Sequence, residues 1–212
     1  MNQEFNRDLF REYVLRLSER DPAHDIAHIE RVVANAERLL GEEEADREIV
    51  LAAAWLHDCI VLPKDHPDRS RASFFAAEKA EGFLRENSFP SDKISAVKHA
   101  IEAHSFSAGI TPQTTEAKIV QDADRLDALG AIGIARCLLV GGTLNRPLYH
   151  PIEPFPAKRT ADDSRWTIDH FYTKLFTLPQ KMQTRSGKEE AGKRVAKMKR
   201  FLEELSEEIT LK

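Results

Sequence analysis

Two adjacent residues of complementary type, His57 and Asp58, stand near the end of a long apolar stretch, IVLAAAWLHDCIV. A charged carboxylate among alanine, tryptophan, leucine and isoleucine must be paired or bound to a cation to be tolerated. One interpretation is therefore a metal site. The other is a buried aspartate that accepts hydrogen bonds from a neighbouring helix end, since buried polar pairs are often structural.

Two further histidines, His24 and His28, are four residues apart and therefore share one face of a predicted helix. A helix N-terminus beneath His24 disfavours its protonated form, and the neutral imidazole is the form that binds a metal. Their segment, HDIAH, lacks the glutamate that serves as general base in HExxH metalloproteases, so the sequence disfavours that class. For either residue alone, a solvated or core histidine is the other interpretation.

A third cluster consists of Asp122, Asp124 and Asp127 within one predicted helix, where aspartate is unfavourable for helix propensity. Asp122 and Asp124 flank Ala123 on opposite sides of the apolar stripe. Their side chains diverge by ~200° around the helix and cannot both reach one ion. Periodicity alone does not choose between them, and at least one can be a solvated acidic flank.

Apolar residues that recur every three to four positions predict an all-α chain without strands or internal repeats. The first helix is expected over residues 2–19, and the second from the N-cap pair Asp21 and Pro22 to Gly41. Other expected elements are helices over 43–60, 70–87, 164–178 and 187–209, a helix capped by Ser91, and a long helix that starts at Thr114 or Thr115 and runs to residue 140. Residues 141–164 lack a period and are expected to form a long loop able to cover a site.

The composition narrows the function. The chain has 212 residues, 42% of them hydrophobic, and a formal net charge of −4. Its 31 basic and 35 acidic residues are mixed along the sequence, which argues against binding to nucleic acid or a membrane and favours a small ligand. Cys59 and Cys137 lie in apolar contexts typical of reduced thiols. With no apolar leader and no run of ~18 apolar residues, we expect a cytoplasmic protein.

Three segments, HIERVV, WLHDCI and DADRLDALG, resemble in their order and helical placement the HD superfamily of metal-dependent phosphohydrolases. That superfamily carries a histidine, an adjacent His-Asp pair and a distant aspartate on successive helices. The resemblance spans residues 20–140 and includes the patterns DPAHDIAH and DADRLDALGAIGIAR of one bacterial branch. It implies an HD-type helical bundle with two additional C-terminal helices. The expected organisation is a single domain over 1–212, with its core at 20–140, a loop at 141–164 and C-terminal helices at 165–212.

The resemblance also implies a site that binds one divalent cation, Mn²⁺, Mg²⁺, Co²⁺ or Fe²⁺, through His28, His57, Asp58 and Asp124. Two imidazoles and two carboxylates suit a six-coordinate ion with two positions left for water and a substrate oxygen. The implied reaction is hydrolysis of a nucleotide or another small phosphate ester or anhydride by a metal-activated water. The expected catalytic residues are Asp58, His104 as proton donor or ligand of a second metal, and Asp127 as the group that orients a water or an imidazole.

Basic residues close to the His-Asp pair are candidates for binding the phosphate, because cations stabilise charge that develops on phosphoryl oxygens. They are Lys64, Arg69 and Arg71, with Arg125 behind them. Each can equally be a surface charge. The Glu-Asp pair of guanosine-polyphosphate hydrolases and the Gly-Tyr-Pro signature of the cyclic-dinucleotide branch are absent, which argues against both of those substrates.

Two other functions stay open at the level of sequence. An HD-type oxygenase with two irons would need additional histidine ligands, for which His24, His99 and His104 are available. A non-catalytic nucleotide-sensing or scaffold protein would keep the metal for stability and bind without turnover.

Overall fold

The computed structural model describes residues 5–17, 26–62 and 66–209. Within these ranges the chain is helical and has no strand, which confirms the all-α prediction. The α-helices are α1 (Arg7–Arg16), α2 (Ile26–Leu40), α3 (Arg47–Leu56), α4 (Ala72–Glu86), α5 (Ile94–His104), α6 (Thr115–Asp127), α7 (Gly130–Thr143), α8 (Asp169–Thr173) and α9 (Arg185–Ile209), and two 3-10 segments cover Arg69–Arg71 and Leu175–Lys181. The predicted helix start at Asp21 and Pro22 lies outside the described residues. No single described helix has the length and apolar composition of a membrane span, and only α6 and α7 taken as a bent pair reach them.

The first of two compact units comprises residues 1–124 and is organised around α3. Every residue from Ile49 to Leu56 is buried, as the continuous apolar run predicts for a central helix. Helices α1, α2, α4 and α5 all contact α3. Asp46 is the N-cap of α3, and its carboxylate accepts hydrogen bonds from the N–H groups of Glu48 at 2.9 Å and Ile49 at 3.3 Å.

The start of α5 differs from the prediction that Ser91 caps it. Lys93 occupies the N-cap position, and its carbonyl accepts the N–H of Val97 at 3.1 Å. The Lys93 ammonium lies 2.7 Å from Asp46 and 2.6 Å from Glu48, so these carboxylates hold it at the start of α3. That anchoring explains why the helix begins two residues later than the local sequence indicates.

Residues 125–212 form the second compact unit, in which α9 packs against α7 and against the 3-10 segment Leu175–Lys181. The long segment between α7 and α8 is tied to α8 by Arg159, whose guanidinium donates two hydrogen bonds to the fully buried carboxylate of Asp169. The backbone N–H of Asp162 donates to the same carboxylate at 2.6 Å. This segment is therefore a structured loop.

Both cysteines of the chain are free and buried, and burial raises the pKa of Cys137 to about 11.

The prediction of a single long helix up to residue 140 is wrong, because the segment forms two helices, α6 and α7. Helix α6 starts after Thr114, whose hydroxyl accepts the N–H of Ala117 at 3.2 Å, but it ends at Asp127. Gly130 then adopts a φ of +73°, which residues with a side chain rarely adopt. The apolar pattern continues through the break, so periodicity does not reveal it.

The helix predicted over residues 164–178 is also wrong. The chain forms the short helix α8 and then the 3-10 segment Leu175–Lys181, which contains Pro179. The predicted C-terminal helix over 187–209 is confirmed as α9.

The break between α6 and α7 leads to a prediction about two glycines of α7. A Cβ on Gly133 would lie 2.2 Å from the carbonyl oxygen of Ala128, whereas a Cβ on Gly142 would meet no atom within 4 Å. We expect Gly133→Ala to lower the free energy of unfolding by ~1–3 kcal/mol, as overpacking does. The matched Gly142→Ala should raise it by up to ~1 kcal/mol through helix propensity. Urea denaturation of both variants checks this, and equal effects would contradict it.

Candidate metal centre

His57 is the most buried residue of the site. It directly follows α3 and is buried because that helix is central to the first unit. Its side chain is fully buried. Its Nδ1 lies 2.8 Å from the carbonyl oxygen of Ala54, which can only accept, so Nδ1 carries the proton and Nε2 carries the lone pair. That Nε2 is buried and has no hydrogen-bond partner. Burial lowers the pKa of His57 to about 4, so the ring is neutral and in the form that binds a metal.

The Asp58 carboxylate faces this nitrogen and the Nε2 atoms of two other histidines. One oxygen lies 3.7 Å from Nε2 of His57 and 3.8 Å from Nε2 of His28, which α2 contributes. The other oxygen lies 3.5 Å from Nε2 of His104, at the end of α5. Three helices of the first unit therefore bring imidazole nitrogens to one carboxylate.

The structure also locates the aspartates of α6. The Asp124 carboxylate is partly exposed and lies 3.5 Å from Nε2 of His28. Asp122 is fully buried. Asn35 of α2 donates a hydrogen bond to the Ala123 carbonyl at 3.0 Å, which holds α6 against α2 with the face of Asp124 towards His28. The assignment of Asp124 to the metal stays a prediction, which this distance supports.

His104 has the same local arrangement as His57 but a different electrostatic environment. Its Nδ1 donates to the carbonyl of Ile101, which leaves Nε2 towards Asp58. Burial alone disfavours the charged ring, yet the neighbouring Asp58 carboxylate raises the pKa of His104 above its ordinary value. Two histidines on one carboxylate therefore differ in their readiness to carry a proton.

The donor set fits a divalent cation. Ligand atoms of His28, His57 and Asp58 all lie within 4.8 Å of one another. Ligands that bind one octahedral ion at ~2.2 Å are separated by ~3 Å when adjacent and by ~4.4 Å when opposite. In the structure the separations are 3.5–3.8 Å, somewhat longer than those of adjacent ligands. The unpartnered, buried Nε2 of His57 is the atom that most needs such an ion.

Comparison with known proteins agrees with this geometry. A profile of the HD domain matches residues 25–129. The chain is 32% identical over 197 residues to the uncharacterized protein YpgQ of Bacillus subtilis (strain 168). The alignment covers 91% of this chain and 88% of that protein. The chain belongs to the HD-domain family. This confirms the resemblance found in the sequence.

Solved structures of HD proteins have the same fold. An HD-superfamily hydrolase from Bacillus thuringiensis superimposes with a TM-score of 0.76 at 32% identity, over 97% of both chains. Bacillus subtilis YpgQ in complex with ADP superimposes with a TM-score of 0.73 at 30% identity, over 96% of this chain and 94% of that one. This kinship and the His-His-Asp cluster indicate a hydrolase with a divalent-metal site.

A small cleft of this HD domain adjoins the cluster. Its volume is about 50 Å³, and Asp58 and His104 form one part of its wall. Arg69 and Ser73, which flank the start of α4, also line it, as do the hydroxyl-bearing residues of the turn after α5. The cleft therefore combines the inner polar atoms of the cluster with a guanidinium and several hydroxyl groups.

The structure separates the predicted phosphate-binding residues. Arg69 lines the cleft and donates a hydrogen bond to the Leu62 carbonyl. Arg71 is exposed, with its guanidinium 4.9 Å from the ring centre of Phe75. Arg125 donates to the carbonyl of Lys181 within the second unit. Lys64 lies outside the described residues, and a role in substrate binding stays a prediction for all four.

Two other predicted features of the site have defined surroundings. The Asp127 carboxylate lies 2.7 Å from the guanidinium of Arg136, and its catalytic role stays a prediction. His99, a candidate ligand for an oxygenase, accepts the backbone N–H of Gln113 at its Nε2 at 2.9 Å. That nitrogen is thus already used in a backbone hydrogen bond. His24 lies outside the described residues.

Sequence reasoning missed Ser73. The residue is buried and lines the cleft, yet it has no place in the His-Asp pattern. The signal available in the sequence was its position shortly after Arg69 and Arg71, in RSRASFF, at the start of a helix where serine is common. That context suggests an ordinary structural serine.

Proposed function

We propose that this HD-domain protein is a metal-dependent phosphohydrolase whose substrate is a nucleotide. The observation that carries the proposal is the convergence of His28, His57 and Asp58, with the Nε2 lone pair of His57 buried and unpartnered. A buried lone pair without a hydrogen-bond partner lowers stability. A cation bound to it would supply the missing partner. The adjoining cleft then provides the place for a substrate next to the cation.

The chain's own residues have distinct tasks in this mechanism. His28, His57, Asp58 and Asp124 would hold the cation. When bound, the cation supplies a Lewis acid that lowers the pKa of a water nucleophile and offsets charge on the phosphoryl oxygens. The hydrogen bond from His57 Nδ1 to Ala54 fixes the ring so that Nε2 faces inward.

His104 is suited to handling a proton. Its Nδ1 is committed to the Ile101 carbonyl, so Nε2 is the atom at which a proton can be gained or lost. That atom lies 3.5 Å from Asp58 and the residue lines the cleft. We therefore assign to His104 the delivery of a proton to the leaving phosphate oxygen, with Asp58 holding the ring in position.

The choice of a nucleotide rests on chemistry and kinship together. Arg69 adds a cation to the cleft wall, which suits an anionic polyphosphate. The Bacillus subtilis relative YpgQ has been crystallised in complex with ADP. Triphosphates are the first candidates, because they offer both a phosphoryl group for the cleft and a chain of further anionic oxygens.

A release assay tests the proposal. Purified protein stripped of metal and then supplied with Mn²⁺ or Mg²⁺ is expected to release phosphate or pyrophosphate from nucleoside triphosphates, and to release neither when EDTA is present. Sugar phosphates form the comparison panel. Turnover confined to compounds without phosphate would overturn both the hydrolase and the nucleotide assignment, and binding without turnover across the panel would favour a sensing or scaffold protein.

A further inference from the structure

The hydroxyl group of Ser73 has no hydrogen-bond partner, although the residue is buried at the start of α4 and lines the cleft beside Asp58 and His104. We propose that Ser73 binds the substrate directly, by donating a hydrogen bond from Oγ to a non-bridging phosphate oxygen. This inference rests on the proposed phosphohydrolase function and names a group of the same site that recognises the phosphate.

An unpartnered buried hydroxyl is unusual, because the large majority of buried polar side-chain atoms in native proteins have a partner. A serine in a helix commonly bonds to the carbonyl four residues earlier, which here belongs to Arg69. That carbonyl accepts the backbone N–H of Ala72, and Ser73 Oγ makes no hydrogen bond to it. Ser73 Oγ therefore has no hydrogen-bond partner within the described protein, and the residue lines the same cleft as Asp58 and His104.

The other groups of the cleft indicate what the missing partner is. Arg69 supplies a guanidinium, and its bond to the Leu62 carbonyl holds the side chain along the wall. Ser105 and Ser107 line the same cleft, with their hydroxyl oxygens 3.0 Å apart. Three hydroxyl groups and one guanidinium favour an anionic ligand rich in acceptor oxygens, which describes a phosphoryl group.

The size of the cleft supports the same ligand. Its volume of about 50 Å³ exceeds the ~30 Å³ that one water occupies in the liquid, but it is far below the ~300 Å³ at which pockets for drug-sized molecules begin. The cleft therefore suits one phosphoryl group, while the nucleoside must lie outside it. Ser73 and Arg69 accordingly recognise phosphate without regard to the base.

Removal of this hydroxyl should weaken nucleotide binding and leave the metal site intact. We expect Ser73→Ala to raise the Kd for ADP, measured calorimetrically with Mn²⁺ present, by about 10- to 100-fold, the range for a hydrogen bond to a charged group. The Kd for Mn²⁺ without nucleotide should stay unchanged. Ser73→Cys keeps the side-chain shape but offers only a weak thiol donor, and it should lose ADP affinity in the same direction.

The matched control is Ser186→Ala, which removes a buried hydroxyl from α9 and should leave both affinities unchanged. Wild-type ADP affinity in both Ser73 variants would overturn the proposal, and so would a parallel loss of Mn²⁺ and ADP affinity, because Ser73 would then act through the metal centre. If the wild-type protein hydrolyses nucleotides while the variants match it, only the role of Ser73 fails. If the wild-type protein neither binds ADP nor hydrolyses any phosphate compound, the proposed function fails with it.

Discussion

Asp58→Ala is expected to abolish metal binding and turnover while the helical content is retained. The Asp58 carboxylate lies within 3.8 Å of three imidazole nitrogens and is the group they share, so its loss removes a ligand and the negative charge that balances the cation. We expect turnover to fall at least ~1000-fold, the factor that corresponds to ~4 kcal/mol of lost transition-state stabilisation. Bound manganese after dialysis, phosphate release and far-UV circular dichroism provide the three readouts.

The control for this variant is Asp92→Ala. Asp92 is an exposed aspartate in the turn before α5, so its replacement removes the same charge away from the ligand cluster. Metal content and turnover should both stay at the wild-type level. Stoichiometric manganese and full activity in Asp58→Ala would show that the cluster is not the catalytic metal site.

A second large effect should distinguish Asp124 from Asp122. Asp124→Asn is expected to weaken Mn²⁺ binding by more than the ~10- to 100-fold typical of residues that only support a ligand, because its carboxylate lies 3.5 Å from Nε2 of His28. Asp122 is fully buried, so Asp122→Asn should chiefly lower the free energy of unfolding, by ~1–3 kcal/mol.

Each of these two variants is the control for the other, since both remove one carboxylate from the same helix and keep the side-chain shape. Calorimetric titration with Mn²⁺ gives the affinities, and urea denaturation of the metal-free proteins gives the stabilities. The reverse ranking, with Asp122→Asn losing the metal and Asp124→Asn losing stability, would mean that the ligand lies on the opposite flank of α6.

Central features of the fold follow from local sequence patterns. The apolar run that ends in WLHDCI has no polar face, so it can only be buried, and α3 is indeed the centre of the first unit. The helical identity of the segments at 26–40, 72–86 and 185–209 follows from their periodicity in the same way. Helix ends are less predictable, because they depend on single residues. Near Gly130, whose φ is positive, the helix is interrupted although the apolar periodicity continues. At the start of α5, Lys93 is held by an acidic residue at the start of another helix.

For the site, the residue types left a structural role open for the His-Asp pair, and the prediction of a metal-binding HD domain came from the resemblance of three segments, in their order, to that family. Which side chains meet was decided by helix packing. Periodicity could not decide whether Asp122 or Asp124 points to the site, because they lie on the two flanks of one apolar stripe. The contact of α6 with α2 brings Asp124 towards His28. Ser73 appeared as an ordinary serine at a helix start, and only the tertiary structure buries its hydroxyl beside Asp58 and His104. Local periodicity determines which face of a helix is apolar, whereas the contacts of polar groups at its edges depend on neighbours distant in the chain.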